Sequence, residues 1–318
     1  MTSTSAGLPD VIVLSGGLSH ERDVSIKSGR RVSMALREVG HHVLEADVNS
    51  GLIALLLAHP DAVVVPMLHG GVGEDGALQE VFSLIGATWL GSTGAAARLA
   101  FDKSIATPVL AGRGLRVPRQ IVLPHEIFLE LGAQTLVDRI GGSFGFPVMV
   151  KPTRSGSAMG CQRVSDPAAL PAAMVGAYAY GPQTLVEEYI EGTEVAVAVL
   201  GHGESVRALP AVEIRPESGV YDYTARYTAG ATRFVAPAEI DALTSQACEK
   251  LALDAHHGLG LQGISRIDIM INTEGEPVFI EANVAPGMTE TSLVPLALEA
   301  ANLDLGRELS SLVIEAAE

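Results

Sequence analysis

Apolar residues along this chain fall into two kinds of run. Val11-Ile12-Val13-Leu14 and Ala62 to Met67 are short and continuous, as in strands buried on both faces. Between them, residues 22 to 38 place Val24, Val32, Ala35 and Leu36 at helical spacing. Gly40 then stops the helix, and His42 to Val48 returns as a strand. Strand, helix and strand with short Gly-rich turns predict a doubly wound α/β lobe, whose ligands sit beyond the carboxyl ends of the strands. Further helices are predicted over Ala95 to Leu110, 167 to 179, 240 to 257, Ser292 to Ala301 and Leu303 to Ala317. Strands are predicted at Gln120 to Leu123, Phe146 to Pro152, Cys161 to Val164, Gln183 to Ile190, Val195 to Leu200 and Ser205 to Ile214. Residues 124 to 143 read as a polar connection with one short helix.

The clearest pattern lies between Gln262 and Leu293. Arg266, Asp268 and Met270 alternate with Ile267, Ile269 and Ile271, the period of a half-buried strand. A turn-forming cluster, Asn272 to Glu276, separates it from a second strand, Val278 to Glu281. A two-residue turn at Glu274-Gly275 would set Asp268 opposite Glu281 and Arg266 opposite Asn283. Acids facing each other across a ladder repel, so this pairing calls for a cation. Two carboxylates with the nearby amide oxygen of Asn283 suit a hard divalent ion such as magnesium.

Composition narrows the field of partners. The chain has 318 residues, enough for two or three packed lobes, and a formal charge of −16. That charge disfavours nucleic acid or an anionic membrane as a partner. Cys161 and Cys248 are isolated, so neither a disulfide framework nor a thiolate metal site is expected, and a reduced cytoplasmic compartment fits. Met1 to Gly7 lacks a basic region and an apolar run, and reads as a tail rather than a signal peptide. The most apolar stretch, Leu52 to Leu68, is broken by His59, Pro60 and Asp61 and is not expected to span a membrane.

Several loops carry candidate chemistry. Thr153 to Gly160 is a Gly/Ser loop between strands, suited to closing backbone N–H groups around phosphate oxygens. It is not a P-loop, since GxxxxGK[ST] occurs nowhere. Gly258, Gly260 and Gly263 spell GxGxxG but lead into a strand rather than out of one, which marks a helix stop and disfavours a dinucleotide fingerprint. Residues 219 to 230 form a long aromatic segment that suits either a lid or a packed loop.

Taken together, Arg266-x-Asp268, Glu281-Ala282-Asn283 and Pro286-Gly287-Met288-Thr289 with Ser292-Leu293 resemble the metal and acceptor site of D-alanine–D-alanine ligases, of the ATP-grasp superfamily. The loops His20-Glu21-Arg22-Asp23-Val24-Ser25 and Leu68-His69-Gly70 to Gly76 are similar to that family as well. The resemblance implies a three-lobed fold: a Rossmann-like lobe over 1–92, a central lobe over 93–186 and a C-terminal lobe over 187–318 with a mobile loop at 219–230. ATP would lie between the last two.

By the same resemblance, Glu21 would hold the ammonium of the first D-alanine, with His69 helping to place it. Ser157 and Tyr227 would join Glu21 in orienting that substrate, Tyr227 being the residue associated with dipeptide rather than D-lactate products. Lys103, Lys151 and Arg226 would grip the phosphates, Arg226 standing where the family usually has Lys. Glu187, Tyr189 and Ile190 would read adenine, and Glu194 the ribose. Asp268, Glu281 and Asn283 would bind two magnesium ions, or manganese. Arg266 and the Gly287 N–H would stabilise the oxyanion, and Ser292 with the Leu293 N–H the second carboxylate. The implied partners are ATP and two D-alanines, in a cytoplasmic homodimer serving peptidoglycan synthesis. Ala158-Met159 and Arg226 depart from the usual pattern, so a paralogous ligase joining another amino or hydroxy acid is the alternative. A nucleotide-binding regulator without turnover is the reading from another class.

Overall fold

The computed structural model describes residues 7–221, 225, 226, 228 and 230–318. The N-terminal tail 1–6 and Tyr227 lie outside the described residues. A parallel sheet comes first, ordered β2-β1-β3-β4: β1 (Val11–Leu14), β2 (Val43–Ala46), β3 (Val63–Pro66) and β4 (Thr88–Trp89). Its connections carry α1 (Arg22–Glu38), α2 (Leu52–Ala58) and α3 (Ala77–Ile85). The continuous apolar runs follow from burial on both faces. Ile12, Leu14 and Val64 pack with Leu52, Leu56 and Phe82, while Val11, Val13, Val63 and Val65 pack with Val32 and Leu36 of α1.

α4 (Gly94–Phe101) and α5 (Lys103–Gly112) replace the single helix expected over Ala95 to Leu110. The break is at Asp102, whose extended backbone ends α4 and whose carboxylate accepts from the Ser104 N–H, capping α5. A second, antiparallel sheet follows, ordered β5-β8-β6-β7, from β5 (Gln120–Pro124), β6 (Val148–Pro152), β7 (Gln162–Val164) and β8 (Gln183–Glu188). It is covered by α6 (His125–Leu131), α7 (Ala133–Phe144) and α8 (Leu170–Tyr178). The connection before β6 is therefore two helices, not one.

The third sheet runs β12-β11-β9-β13-β14, with β10 on β9. Its strands are β9 (Gly192–Gly201), β10 (Arg207–Ala208), β11 (Val212–Pro216), β12 (Thr232–Val235), β13 (Gly263–Asn272) and β14 (Pro277–Asn283). α9 (Ala242–Gly258) precedes β13, and α10 (Leu293–Ala300) and α11 (Leu305–Ala317) complete the chain. Alternate residues of β9 face two cores. Val195, Val197 and Val199 meet α4, α5 and α9, whereas Ala196, Ala198 and Leu200 share a core with β1, β3, α10 and α11. The first and third sheets are thus packed through one continuous core.

Ala96, Ala100, Ala106 and Leu110 belong with the third sheet rather than the second, and β8 continues through 187 to Glu188. The GxGxxG does act as a helix stop: α9 ends at Gly258 and β13 starts at Gly263.

Candidate active site

Asp268 pairs with Glu281 and Arg266 with Asn283, in the register expected. The route to that register differs from the expected one. Three residues, Thr273 to Gly275, form the turn: Asn272 N–H donates to Glu276 O at 3.0 Å, and Gly275 has φ +81°. Ile269, Met270 and Ile271 then pair with Phe279, Val278 and Pro277, and the ladder shifts between Asp268 and Ile269. The extra residue is Ile280, and this bulge restores the pairing. It also lets two successive side chains, Ile280 and Glu281, line one cavity while Phe279 stays in the core.

Each acid has a protein cation. Arg266 donates to both Asp268 oxygens, at 2.6 and 2.8 Å. Lys103 Nζ lies 3.0 Å from Glu281 Oε2 and donates to Ser155 O at 2.8 Å. Burial alone would push Glu281 up, yet Lys103, Arg226 and Arg266 hold its carboxyl far below the usual range. Burial raises Asp268, against the pull of Arg266. The facing acids are therefore tolerated through these residues, and their pairing alone does not call for a metal. Asn283 Oδ1 accepts from the Ala285 N–H at 2.8 Å. Two carboxylates and an amide oxygen remain a hard donor set suited to magnesium. Among the described residues no three His, Cys, Asp or Glu side chains gather as a metal cage.

A cavity of about 400 Å³ runs between the second and third sheets. Met149, Tyr189, Ile190, Met270 and Ile280 give it apolar walls, and Lys151, Glu187 and Glu194 its charged groups. Lys151, the second lysine, forms a close, buried ion pair with Glu187. That pairing raises the lysine's pKa despite burial. Burial pushes Glu194 up to about 7, with Arg226 opposing and Asp268 and Glu281 adding to the rise. Arg226 stacks over the Tyr221 ring, 4.2 Å from its centroid.

A second cavity, of about 1160 Å³, holds Glu21, His69, Glu74, Arg266, Gly287 and Ser292. The two cavities share Lys103, Ser155, Tyr221, Arg226 and Glu281. Glu21 stands at the N-cap position of α1, and its carboxylate accepts from the Ser157 hydroxyl of the Gly/Ser loop rather than from the helix. That loop turns through positive φ at Ser157 (+53°) and Ala158 (+55°), a conformation that costs side-chain-bearing residues roughly 1–2 kcal/mol each. Gly70 must be glycine here: its φ is +70°, and a Cβ would stand 2.6 Å from Glu21 Oε2.

His69 is brought to the site but cannot contact substrate through its ring nitrogens. Nδ1 donates to Ala285 O at 2.8 Å, which fixes the tautomer, and Nε2 accepts from the Ser28 hydroxyl at 3.0 Å. Burial depresses its pKa, so the ring is neutral. Ser28 Oγ in turn accepts from the Met288 N–H at 3.0 Å. Ser28 and His69 thus tie α1 and the end of β3 to the loop 284–288. Sequence reading missed Ser28, a hydroxyl on the buried side of an amphipathic helix with no motif to mark it. Nor does the sequence mark Glu74, which is buried beside Glu21 and pushed up to about 7 by burial first and then by Glu21, while its neighbour Asp75 accepts from the Ala77 N–H at 2.9 Å.

Ser292 precedes α10 and turns its hydroxyl back, accepting from Thr289 N–H at 3.0 Å. A Cβ on Gly287 would stand 2.8 Å from that oxygen, so the backbone there passes close under Ser292.

A Gly/Ser loop and two lysines between two antiparallel sheets, opening at a carboxylate pair onto a second cavity under a Rossmann-like lobe, define an ATP-grasp ligase. The comparisons narrow this class. The family model "D-ala D-ala ligase C-terminus" matches residues 109–314. The D-alanine–D-alanine ligase of Anaeromyxobacter dehalogenans (strain 2CP-C) is 38% identical over 285 residues, 90% of this chain and 89% of that protein. Among solved structures, the VanG D-Ala:D-Ser ligase from Enterococcus faecalis superposes with a TM-score of 0.84 at 26% identity, covering 98% of this chain and 100% of that one. The D-alanine–D-alanine ligase from Bacillus anthracis gives 0.81 at 26% identity, covering 97% of each. The chain belongs to the D-alanine–D-alanine ligase family.

Proposed function

We propose that this protein uses ATP to join two D-alanines into D-alanyl-D-alanine, releasing ADP and phosphate, for peptidoglycan precursor synthesis. The supporting observation is the meeting of the two cavities at Lys103, Arg226 and Glu281. A nucleotide in the smaller cavity would present its terminal phosphate where a carboxylate in the larger one can attack it.

A free carboxylate resists attack by an amine because its oxygen is a poor leaving group. Transfer of the γ-phosphoryl group to the first D-alanine gives an acyl phosphate, whose phosphate leaves readily. Lys103, Lys151 and Arg226 would hold the phosphates, with Glu187, Tyr189 and Ile190 against adenine and Glu194 at the ribose. Asp268, Glu281 and Asn283 would hold magnesium, which supplies charge neutralisation at the phosphates when bound.

Glu21, fixed by Ser157, would take the first ammonium, with Tyr227 completing that group. His69 then acts through position rather than contact. Once the second amine attacks, Arg266 and the Gly287 N–H would face the oxyanion, each such donor contributing roughly 3 kcal/mol in other acyl-transfer sites. Ser292 and the Leu293 N–H, at the start of α10, would take the second carboxylate. Closure of 219–230 would exclude water, which otherwise hydrolyses the acyl phosphate.

The reaction would run in the cytoplasm, where ATP is available, and the resemblance to the family points to a homodimer. Among the described residues, no helix is long and apolar enough to cross a membrane. The substrate test is a panel of D-alanine, D-serine, D-lactate and L-alanine with mass identification of products. D-alanyl-D-alanine as the main product supports the reading, whereas a mixed dipeptide or depsipeptide as the main product replaces it with the paralogous ligase.

A further inference from the structure

Every oxygen group expected to take a divalent cation already has a donor from the protein. Arg266 occupies both oxygens of Asp268, the Ala285 N–H occupies Asn283 Oδ1, and Lys103 Nζ lies 3.0 Å from Glu281 Oε2. Of the two charged donors, Arg266 is held by two bonds to a single carboxylate, whereas the Lys103 ammonium is a point charge on a flexible stem. Lys103 is tied to the Gly/Ser loop at both ends. Its N–H donates to Thr153 O at 2.9 Å and its Nζ to Ser155 O at 2.8 Å. The lysine therefore stands between the loop suited to phosphates and the carboxylate suited to the metal.

An ammonium and a divalent ion on the same carboxylate would be like charges within about 4 Å of each other. Both can be accommodated only if something anionic draws the lysine off. Nucleotide phosphates entering along the Gly/Ser loop would meet that requirement, since Lys103 Nζ is bonded to that loop at Ser155 O.

We propose that Lys103 is the resident counter-ion of Glu281, and that nucleotide phosphates release it and so open Glu281 to the divalent cation. Metal binding at this site is then conditional on the nucleotide, and the acidic pair keeps a cation at each stage. This inference rests on the ligase reading of the site. It concerns the second partner of Lys103 and can fail while that reading stands.

The test is Mn²⁺ binding to the full chain, followed by electron paramagnetic resonance without nucleotide. Wild type is expected to show no Mn²⁺ binding that Glu281→Gln removes, and adenosine, which has no phosphate, should not change this. Lys103→Met is expected to bind Mn²⁺ about tenfold or more tightly than wild type, and the added Glu281→Gln change should abolish the gain. Glu281-dependent Mn²⁺ binding by nucleotide-free wild type as tight as in Lys103→Met overturns the proposal, as does a Lys103→Met protein that gains nothing. If Lys103→Met does not fold, the wild type decides: Glu281-dependent binding before ADP is added overturns the proposal, and its appearance only with ADP supports it. Phosphate release dependent on D-alanine judges the ligase reading separately.

Discussion

Ser28, in the middle of α1, accepts a 3.0 Å hydrogen bond from the N–H of Met288, 260 positions further along the chain. The same hydroxyl donates to His69, so one buried side chain sets the distance between the first lobe and the loop carrying Gly287. Ser28→Ala would leave the Met288 N–H and His69 Nε2 without a partner. Such losses cost about 1–3 kcal/mol, which urea unfolding would show as a lower midpoint. We expect kcat for dipeptide formation to fall more than the KM for ATP changes, because the nucleotide cavity is not touched.

Glu281→Gln removes the carboxylate that pairs with Lys103 and faces Asp268. Expected is loss of D-alanine-dependent phosphate release with the circular-dichroism spectrum of the fold retained. Near-normal turnover would remove Glu281 from the proposed metal set.

Glu74 gives a pH signature. Burial, followed by the charge of Glu21, pushes it up to about 7 from 4.5. Between those values the folded chain holds a proton that the unfolded chain has lost, so stability falls as pH rises through the window. The effect is bounded by roughly 3 kcal/mol. Glu74→Gln should therefore gain stability over wild type between pH 5 and pH 8, read from urea midpoints at both.

His256 works in the opposite direction. It is fully buried, and burial, followed by the nearby His257 and His202, depresses it from 6.5 to about 4. Below pH 6.5 the unfolded chain takes up a proton that the folded chain refuses, so stability falls as pH drops toward 4. His256→Gln should lessen that acid slope, read as a smaller difference between the urea midpoints at pH 8 and pH 5 than in wild type.

Much of this was legible in the sequence, because fully buried strands and a period-two hairpin leave a direct trace in residue type. The Asp268–Glu281 pairing was read correctly through two offsetting departures, a longer turn and a bulge at Ile280, neither of which alternation alone reveals. The break at Asp102 was hidden because Ala95 to Leu110 keeps helical composition across a capping residue. His69 was recognisable as a site residue from its loop, but its bonds to Ser28 and Ala285 join segments far apart in the chain. The partners of Lys103 and Lys151 were likewise invisible, since which acid meets which lysine is decided by how three sheets pack. Tyr227 lies outside the described residues, and its part in the site rests on the family resemblance.

The central claim is that the junction at Lys103, Arg226 and Glu281 couples the nucleotide to an amino-acid carboxylate. Purified protein incubated with ATP, magnesium and D-alanine should yield phosphate and D-alanyl-D-alanine in equal amounts, with neither formed when D-alanine is left out. Phosphate release indifferent to D-alanine, or none at all with ATP bound, would contradict it.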